Sequence, residues 1–503
     1  MKETPFRAEE HLEELLNIGI ALSAEKDHTK LLERILTEAR KITGADAGTL
    51  YLCGDEGLLF KIIQNDTMGV YQGGQGEPVD LPPVPLNPDN IHNVSSWVAL
   101  NKKSVNIPDV YTAEDFDFSG PKKYDALTNY RTKSMLVVPL ENYEGEVIGV
   151  LQLINAKNDQ GEIVPFATEM EKIIFSLASQ AAVSLTNMQY IEEIDNLLHS
   201  FVQVMATAID ARTPYNVNHT RSIAELAEKL ALYIDGLENG PLAAERFPEN
   251  RIVQLVMAAW LHDIGKVAIP LSVMDKPSRL GKRREIVDMK LELAAVQLKY
   301  ELSQAKAQDD DPAVEADFEQ KLAYLDHVAE LIAKVDLPST FVDKELAEEL
   351  NKIARWEYLP GQYLLTDEEL KDLCIPRGTL NDEERKIMEN HVAVAQRMLD
   401  KIPFNSRLKD VPAWALSHHE LLDGTGYPLG LRGEEIPLEA RLLTILDVYD
   451  ALTATDRPYK KPMSPQAALN ILDKMAEEGK LDSLLLDAFK KSRVWAGEGG
   501  NDH

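Results

Sequence analysis

Three apolar segments in the second half of this 503-residue chain close on imidazole or carboxylate groups. Leu255-Val256-Met257-Ala258-Ala259-Trp260-Leu261 runs into His262-Asp263. Val411…Trp414-Ala415-Leu416 leads to His418-His419, and Arg441-Leu442-Leu443-Thr444-Ile445-Leu446 ends on Asp447. Polar groups at the end of a buried helix need a partner. Burying several imidazoles without one costs free energy. The chain must therefore fold so that these ends have something to bind. Adjacent histidines, an adjacent His-Asp pair and a distant Asp are what a two-metal hydrolytic centre needs. A lone histidine is more often a hydrogen-bonded core residue. Here five (His219, His262, His391, His418 and His419) and two carboxylates stand in helical or helix-end settings, which a packed core does not explain.

The charge balance narrows the function classes. With 83 acidic against 53 basic residues and a net charge of −30, the chain lacks the basic surplus of a polymeric nucleic-acid binder. A small anionic substrate stays compatible, because bound cations reverse the sign locally. The length suggests two or three domains. Cys53 and Cys374 are the only cysteines, which argues against a disulfide framework or a Cys-rich zinc site and fits a reducing cytoplasm. The start, Met1-Lys2-Glu3-Thr4-Pro5, is polar and lacks the apolar stretch of a secretion signal. No apolar run reaches the ~18 residues of a membrane helix. A soluble cytoplasmic protein is expected.

Residues 8–24 and 28–43 have helical spacing, with Leu12, Leu15 and Leu16 in the first and Leu31, Leu32, Ile35, Leu36, Ala39 and Ile42 in the second. Residues 48–52 and 59–63 read as strands, and the Pro/Gly/Asn-rich stretch 73–91 as a loop. The apolar runs 134–140 and 147–155, joined across Asn142-Tyr143-Glu144-Gly145, give a strong hairpin signal. The order helix, strand pair, long loop, hairpin, helix resembles a GAF domain over about residues 25–185. The most specific pieces are Ile42-Thr43-Gly44-Ala45-Asp46-Ala47-Gly48-Thr49-Leu50-Tyr51, Val137-Val138-Pro139-Leu140 and Gly149-Val150-Leu151-Gln152-Leu153. The resemblance implies an α/β domain with an antiparallel sheet that senses a small molecule of unknown identity. A ligand-free dimerisation module is the alternative. Asn155, Lys157, Phe166 and Glu169 are similar to the Asn-Lys…Phe…Asp-Glu pattern of cyclic-nucleotide-binding members, with Met170 interrupting the final acidic pair.

From Phe166 to about Leu198 there is no Pro or Gly. Ile174, Leu177, Ala181, Met188, Ile191 and Leu198 keep a spacing of three to four, with breaks at Ser184 and Asp195. A two-stranded coil joining the protomers of a homodimer is expected; the alternative is one amphipathic helix packed on its own domain. Residues 200–270 read as mostly helical, broken at Arg212-Thr213-Pro214 and around Gly236–Pro248. Beyond Asp275-Lys276-Pro277, one segment carries Ile286, Met289, Leu293, Val296 and Tyr300, and another Phe318, Leu322, Leu325, Val328 and Leu331. Asp309-Asp310-Asp311-Pro312 separates them, so they read as an antiparallel helical hairpin within an insertion at about 278–378. The residues needed for chemistry lie on both sides of it.

The ordered set His219, His262-Asp263-Ile264-Gly265-Lys266, His391, His418-His419-Glu420, Asp423-Gly424-Thr425-Gly426-Tyr427-Pro428 and Asp447-Val448-Tyr449-Asp450-Ala451-Leu452 resembles the HD-GYP family, a bacterial branch of the HD phosphohydrolases that hydrolyses cyclic di-GMP. The expected architecture is α+β and multidomain: an N-terminal helix (1–24), a GAF domain (25–185), a helical connector (186–200), an all-α HD-GYP domain carrying the inserted hairpin (201–495) and a tail (496–503). The resemblance places one metal on His219, His262, Asp263 and Asp447, and a second on Asp263, His391, His418 and His419, with Asp263 bridging. Some members hold a third metal through a Glu four residues before the first His; here that position is Tyr215, so two ions are expected.

Two octahedral ions offer about twelve positions, and seven ligands with one bridging fill about eight. The remainder suits a shared hydroxide and phosphate oxygens, and the pair clamps an in-line displacement at phosphorus. Ligands without thiolate suit Fe, Mn or Zn, and the resemblance favours iron or manganese. Lys266, a turn beyond His262, is placed to stabilise charge on phosphoryl oxygens; otherwise it only faces the helix dipole. The Asp423–Pro428 stretch is first a turn, and Tyr427 is expected at the site mouth against substrate or a partner protein. Arg457, Lys460 and Lys461 are a basic cluster suited to the guanine or phosphate of substrate, or simply a solvated helix end. The extra residue before Arg457 and the insertion depart from the shortest members. The expected reaction is metal-assisted hydrolysis of cyclic di-GMP to pGpG, with GMP as a further product, regulated by the GAF domain. The rivals are hydrolysis of another cyclic dinucleotide or nucleotide, and a non-enzymatic receptor for nucleotide or protein, whose sign would be missing ligands; none is missing.

Overall fold

The structure is a computed structural model that describes residues 8–25, 27–212, 218–308, 312–454 and 462–496. It divides into two compact units, Met1–Leu197 and Leu198–His503.

The first unit opens with helices α1 (Ala8–Ala24) and α2 (His28–Thr43). Strands β1 (Ala45–Gly54), β2 (Gly57–Asn65) and β3 (Val70–Gln72) follow, then α3 (Val94–Asn101), β4 (Val105–Ile107) and α4 (Ser119–Thr128). The unit closes with β5 (Met135–Glu141), β6 (Val147–Lys157), β7 (Ile163–Val164) and the start of α5 (Thr168–Asp210). The strands form one antiparallel sheet in the order β3-β2-β1-β6-β5-β4, with β7 on β6. Side chains alternate between its faces, as a pleated strand requires. Leu50, Leu52, Leu136, Val138, Leu151 and Leu153 join a core with the apolar stripes of α1, α2 and α5. Tyr51, Met135, Val137 and Val150 join a second core with α3 on the other face. The hairpin between β5 and β6 is tied by Asn142, whose side-chain oxygen accepts from the Glu144 and Glu146 amides at 3.0 and 2.9 Å. The strands β3, β4 and β7 and the helices α3 and α4 were not foreseen, because two- and three-residue strands carry no periodic signal.

Three of the four residues similar to the cyclic-nucleotide pattern are occupied within this unit, and Glu169 is exposed. Asn155 is buried; its oxygen accepts from the Lys133 amide at 2.7 Å and its amide donates to the Tyr130 hydroxyl at 2.9 Å. Lys157 pairs with the buried carboxylate of Asp46, and Phe166 lies in the core.

The second unit contains α6 (His219–Asp235), α7 (Glu249–Leu261), α8 (Leu271–Met274), α9 (Arg283–Gln308), α10 (Pro312–Asp336) and α11 (Lys344–Ala354). A small ribbon of β8 (Glu357–Leu359) and β9 (Gln362–Tyr363) precedes α12 (Asp367–Leu373), α13 (Asp382–Leu399), α14 (Val411–Leu416), α15 (Leu438–Thr453), α16 (Pro465–Glu477) and α17 (Ser483–Ser492). Helices α6, α7 and α13 to α17 share one core around Leu230, Leu255, Ala258, Leu399, Leu446 and Phe489. Helices α9 and α10 pair as the expected hairpin, but the insert is more than a hairpin. It has its own core, built also from α11, α12 and residues flanking the ribbon, around Val287, Val328, Ile332, Leu350 and Leu364. Arg279 fastens its base: fully buried, it donates to the carbonyls of Ile375, Val335, Leu337 and Thr340. No helix among the described residues is long and apolar enough to cross a membrane.

Helix α5 corrects the expected coil seam. Ile174, Leu177 and Ala181 are fully buried in the core of the first unit, with Met188 packed against it. Leu198 packs against the core of the second unit. Of the residues expected to face a partner, Ile191 alone is exposed, at 59%.

Candidate metal centre

The apolar helix ends do meet. His262 terminates α7 and Asp263 opens a short 3-10 turn, Ile264–Ala268. His219 is the first residue of α6, His391 lies within α13, His418 and His419 follow α14, and Asp447 lies on α15. Ligand atoms of Asp263, His391, His418 and His419 lie within 4.8 Å of one another, as do those of His219, His262 and Asp447. Asp263 faces both groups. Its Oδ2 is 3.4 Å from His219 Nε2 and 3.2 Å from His262 Nε2, while its Oδ1 is 3.6 Å from His391 Nε2. His219 Nε2 is 3.3 Å from Asp447 Oδ1, and His419 Nδ1 is 3.9 Å from Asp447 Oδ2.

What allows this convergence is a close approach of backbones. The 3-10 turn after Asp263 lies directly on α13. A Cβ at Gly265 would overlap the carbonyl oxygen of His391 and the amide of Ala395. Only glycine lets the two segments come near enough for Asp263 and His391 to share a site.

The imidazoles are aimed by their second nitrogen. Nδ1 of His262, His391 and His418 lies 2.6, 2.7 and 2.6 Å from the carbonyls of Ala259, Met388 and Ala415, each three residues earlier. Nδ1 of His219 lies 2.6 Å from Asp450 Oδ2. With Nδ1–H donating outward, Nε2 is left as an unprotonated ligand atom pointing inward, the usual arrangement behind metal-bound histidine. Nε2 of His262, His391 and His418, together with Oδ1 of Asp263, are buried polar atoms without a hydrogen-bond partner. Such atoms are rare in native folds. Two donors each ~2.1 Å from one ion, at right angles, stand about 3.0 Å apart. The separations of 3.2 to 3.6 Å around Asp263 are near that value. Donor chemistry, orientation and orphaned atoms all fit divalent cations.

The electrostatics favour the neutral, ligating form for three of the five imidazoles. Burial lowers the pKa of His391, drives that of His418 well down with help from His419 and His262, and brings His419 to about 4. These three are neutral near pH 7, the form that binds metal. His219 and His262 are raised against burial, His219 by Asp263, Asp447 and Asp450, His262 by Asp263 and Asp447. Burial opposes ionisation of Asp263, but Lys266, His262 and His219 hold its carboxyl well below the usual range. Lys266 pairs directly with that carboxylate.

The loop after His419 is braced over the site. Glu420, 2% exposed, accepts from the amides of Leu429 at 2.7 Å and Leu431 at 2.9 Å. A Cβ on Gly426 would collide with the Leu421 amide and lie 2.5 Å from the His419 oxygen, so the loop can fold back on the histidine pair only with glycine there. The ring of Tyr427 packs on His419, centroids 4.7 Å apart. Burial, then Asp263 and Asp447, push its phenol pKa up, so it stays protonated and able to donate. Tyr215, Arg457, Lys460 and Lys461 lie outside the described residues. Asp450 and Glu420 stood inside quoted motifs without an assigned role. Their signal was an acidic residue on an otherwise apolar helix face and one beside a His-His pair.

A GAF-domain model matches residues 27–185 and an HD-domain model matches residues 365–485. The chain carries a GAF domain followed by an HD domain. The HD match holds His391, His418, His419 and Asp447; His219, His262 and Asp263 precede it, across the insert, and the fold brings them back. A probable cyclic di-GMP phosphodiesterase of Vibrio cholerae is 37% identical over 24% of this chain and 27% of its own length. The cyclic di-GMP phosphodiesterase response regulator RpfG of Xanthomonas campestris is 41% identical over 23% of the chain and 30% of its own. The 3'3'-cGAMP-specific phosphodiesterase 3 of Vibrio cholerae is 40% identical over 23% and 24%. The chain thus spans between 24% and 30% of the length of these relatives.

Proposed function

We propose that this protein is a metal-dependent phosphodiesterase of the HD-GYP type. It would hydrolyse a 3'-5' phosphodiester of cyclic di-GMP to pGpG and onward to GMP, under control of a ligand in its GAF domain. The observation that carries this reading is Asp263, whose two oxygens face separate groups of imidazole and carboxylate ligands. His219, His262 and Asp447 would hold one ion, His391, His418 and His419 the other, and Asp263 both. The donor set suits Fe or Mn, and also Zn. When bound, the two ions supply an activated water and neutralise charge on the phosphate.

The protein's own groups do the rest. Lys266 brings a positive charge beside Asp263 and stabilises the charge that builds on phosphoryl oxygens. Tyr427, protonated and packed on His419, would hold substrate. Glu420 fixes the loop that presents Tyr427. Arg457, Lys460 and Lys461 are proposed contacts to guanine or phosphate.

The similarity to a 3'3'-cGAMP-specific enzyme supports a second reading, in which a mixed cyclic dinucleotide is the preferred substrate. One experiment separates them. The full chain, loaded with Fe or Mn, is given cyclic di-GMP, 3'3'-cGAMP and a cyclic mononucleotide, and products are resolved by chromatography. The expected result is linear product from cyclic di-GMP at the highest kcat/KM, lost on chelation and restored by either metal. A higher kcat/KM for 3'3'-cGAMP supports the second reading. No turnover of any cyclic dinucleotide by the loaded protein refutes both.

A further inference from the structure

A cavity of about 400 Å³ lies where the insert meets the first turn of α13. Phe341, Ile375 and Leu380 give it an apolar wall, and Lys371, Arg377 and Arg385 give it three cations. Its walls are tied together by other groups. Lys276 Nζ donates to Asp372 on α12 at 3.0 Å and to Glu384 on α13 at 2.8 Å. Asn381 Nδ2 donates to Asp372 at 2.8 Å, and Arg279 Nε to the Ile375 carbonyl at 2.9 Å. The Val342 amide donates to the Pro376 carbonyl at 3.2 Å and so holds Phe341 beside the cavity. The space is formed in advance, as small-molecule sites usually are.

The lining cations take little part in this bracing. Lys371 pairs with Glu383 at 3.0 Å, and Asp382 adds one carboxylate to the lining. Arg377 and Arg385 form no ion pair among the described residues. Arg377 stands instead over the ring of Phe341, 5.3 Å from its centroid, and Phe341 is 56% exposed. Like charges around one concavity repel each other until an anion joins them. Guanidinium forks fit phosphate oxygens, and planar bases stack on aromatic rings and guanidinium planes. The volume is near the lower end of the ~300–1,000 Å³ of ligand pockets, which suits one nucleotide rather than two. We propose that this cavity is a binding site for a mononucleotide, separate from the metal centre. Arg385 and Lys371 take its phosphate, and its base stacks against Phe341 and Arg377. Arg385 stands six residues before His391, ~9 Å along α13. Among the described residues, none of the candidate metal ligands lines the cavity. The inference therefore stands without the hydrolase reading.

The test uses the full chain with its metals and follows AMP and GMP by titration calorimetry. Both should bind at least ~10-fold more tightly than inorganic phosphate, because a stacked base adds to the anion contacts. Arg385→Glu should weaken both nucleotides by ~10-fold or more, since it puts a like charge against the phosphate. The double variant Phe341→Ala, Arg377→Ala should lower nucleotide affinity to that of inorganic phosphate. These three side chains are exposed, so far-UV spectra and melting should match the wild type. Asp263→Ala, which removes the shared carboxylate of the metal centre, should retain the binding. A wild type that binds neither nucleotide, or binds them no better than inorganic phosphate, overturns the proposal. So does binding that is lost in Asp263→Ala and kept in the Phe341→Ala, Arg377→Ala protein, which would place the nucleotide at the metal centre.

Discussion

Asp263→Ala should reduce cyclic di-GMP hydrolysis by at least ~100-fold, the scale of losing one group that stabilises the transition state, and should leave fewer than two metal ions per chain. The reason lies in position. Asp263 turns one oxygen toward each ligand group, and its carboxylate is held ionised against burial by Lys266, His262 and His219. Removing it leaves the ammonium of Lys266 beside a set of uncompensated imidazoles, so binding of a dication is disfavoured twice, by a lost ligand and by a retained positive charge. Asp263→Asn is the informative companion, because it keeps the volume and one oxygen. If the charge matters, its metal content falls nearly as far as that of the alanine variant. Metal analysis and a rate assay on the same preparations check both. Wild-type stoichiometry in Asp263→Ala would remove the bridging role.

Gly265→Ala should do comparable harm without touching a ligand. The added methyl group meets the His391 carbonyl and the Ala395 amide, both backbone atoms of α13 that cannot swing aside. The 3-10 turn must then lift from the helix. Overpacking of this kind costs about 1–3 kcal/mol, and a loss of that size lowers the melting temperature by several degrees. The larger consequence is geometric: Asp263, two residues earlier, moves relative to His391, and one ion loses part of its cage. Gly120→Ala serves as the control, since nothing lies within 4 Å of its added carbon. That change should stay within about 0.5 kcal/mol of wild type. Thermal denaturation and metal content read the two effects separately. A Gly265→Ala protein with unchanged melting and two bound metals would show that the close contact is not needed.

How much of this was visible in the chain varies with the kind of signal. Of the seven candidate ligand residues, His262, Asp263, His418, His419 and Asp447 stood out because they end apolar segments, where polar groups are costly, whereas His219 and His391 were assigned through the family resemblance. The sheet was legible where strands are long, as in β1, β2, β5 and β6. What escaped notice depends on distant neighbours. Nothing beside Gly265 in sequence says that α13 will press against it. Nothing beside Asp450 says that His219, 231 residues earlier, will rest on it. The residues expected in a coil seam turned out to serve the chain's own cores for a related reason. In a 43-residue helix two apolar stripes overlap in one sequence pattern. Which stripe the chain's own cores consume depends on the packing of other helices. The insert was read as two helices because their periodicity is strong. Its further core, with Leu350, Ile353 and Leu364, rests on α11 and residues around a short ribbon whose pattern is weak.

The most direct test of the central claim is anomalous scattering from crystals of the protein purified with iron or manganese. Two peaks about 3.5–4 Å apart are expected, one enclosed by His219, His262 and Asp447, the other by His391, His418 and His419, with a carboxylate oxygen of Asp263 toward each. No peak between these side chains, in protein that has been supplied with both metals, would contradict the account.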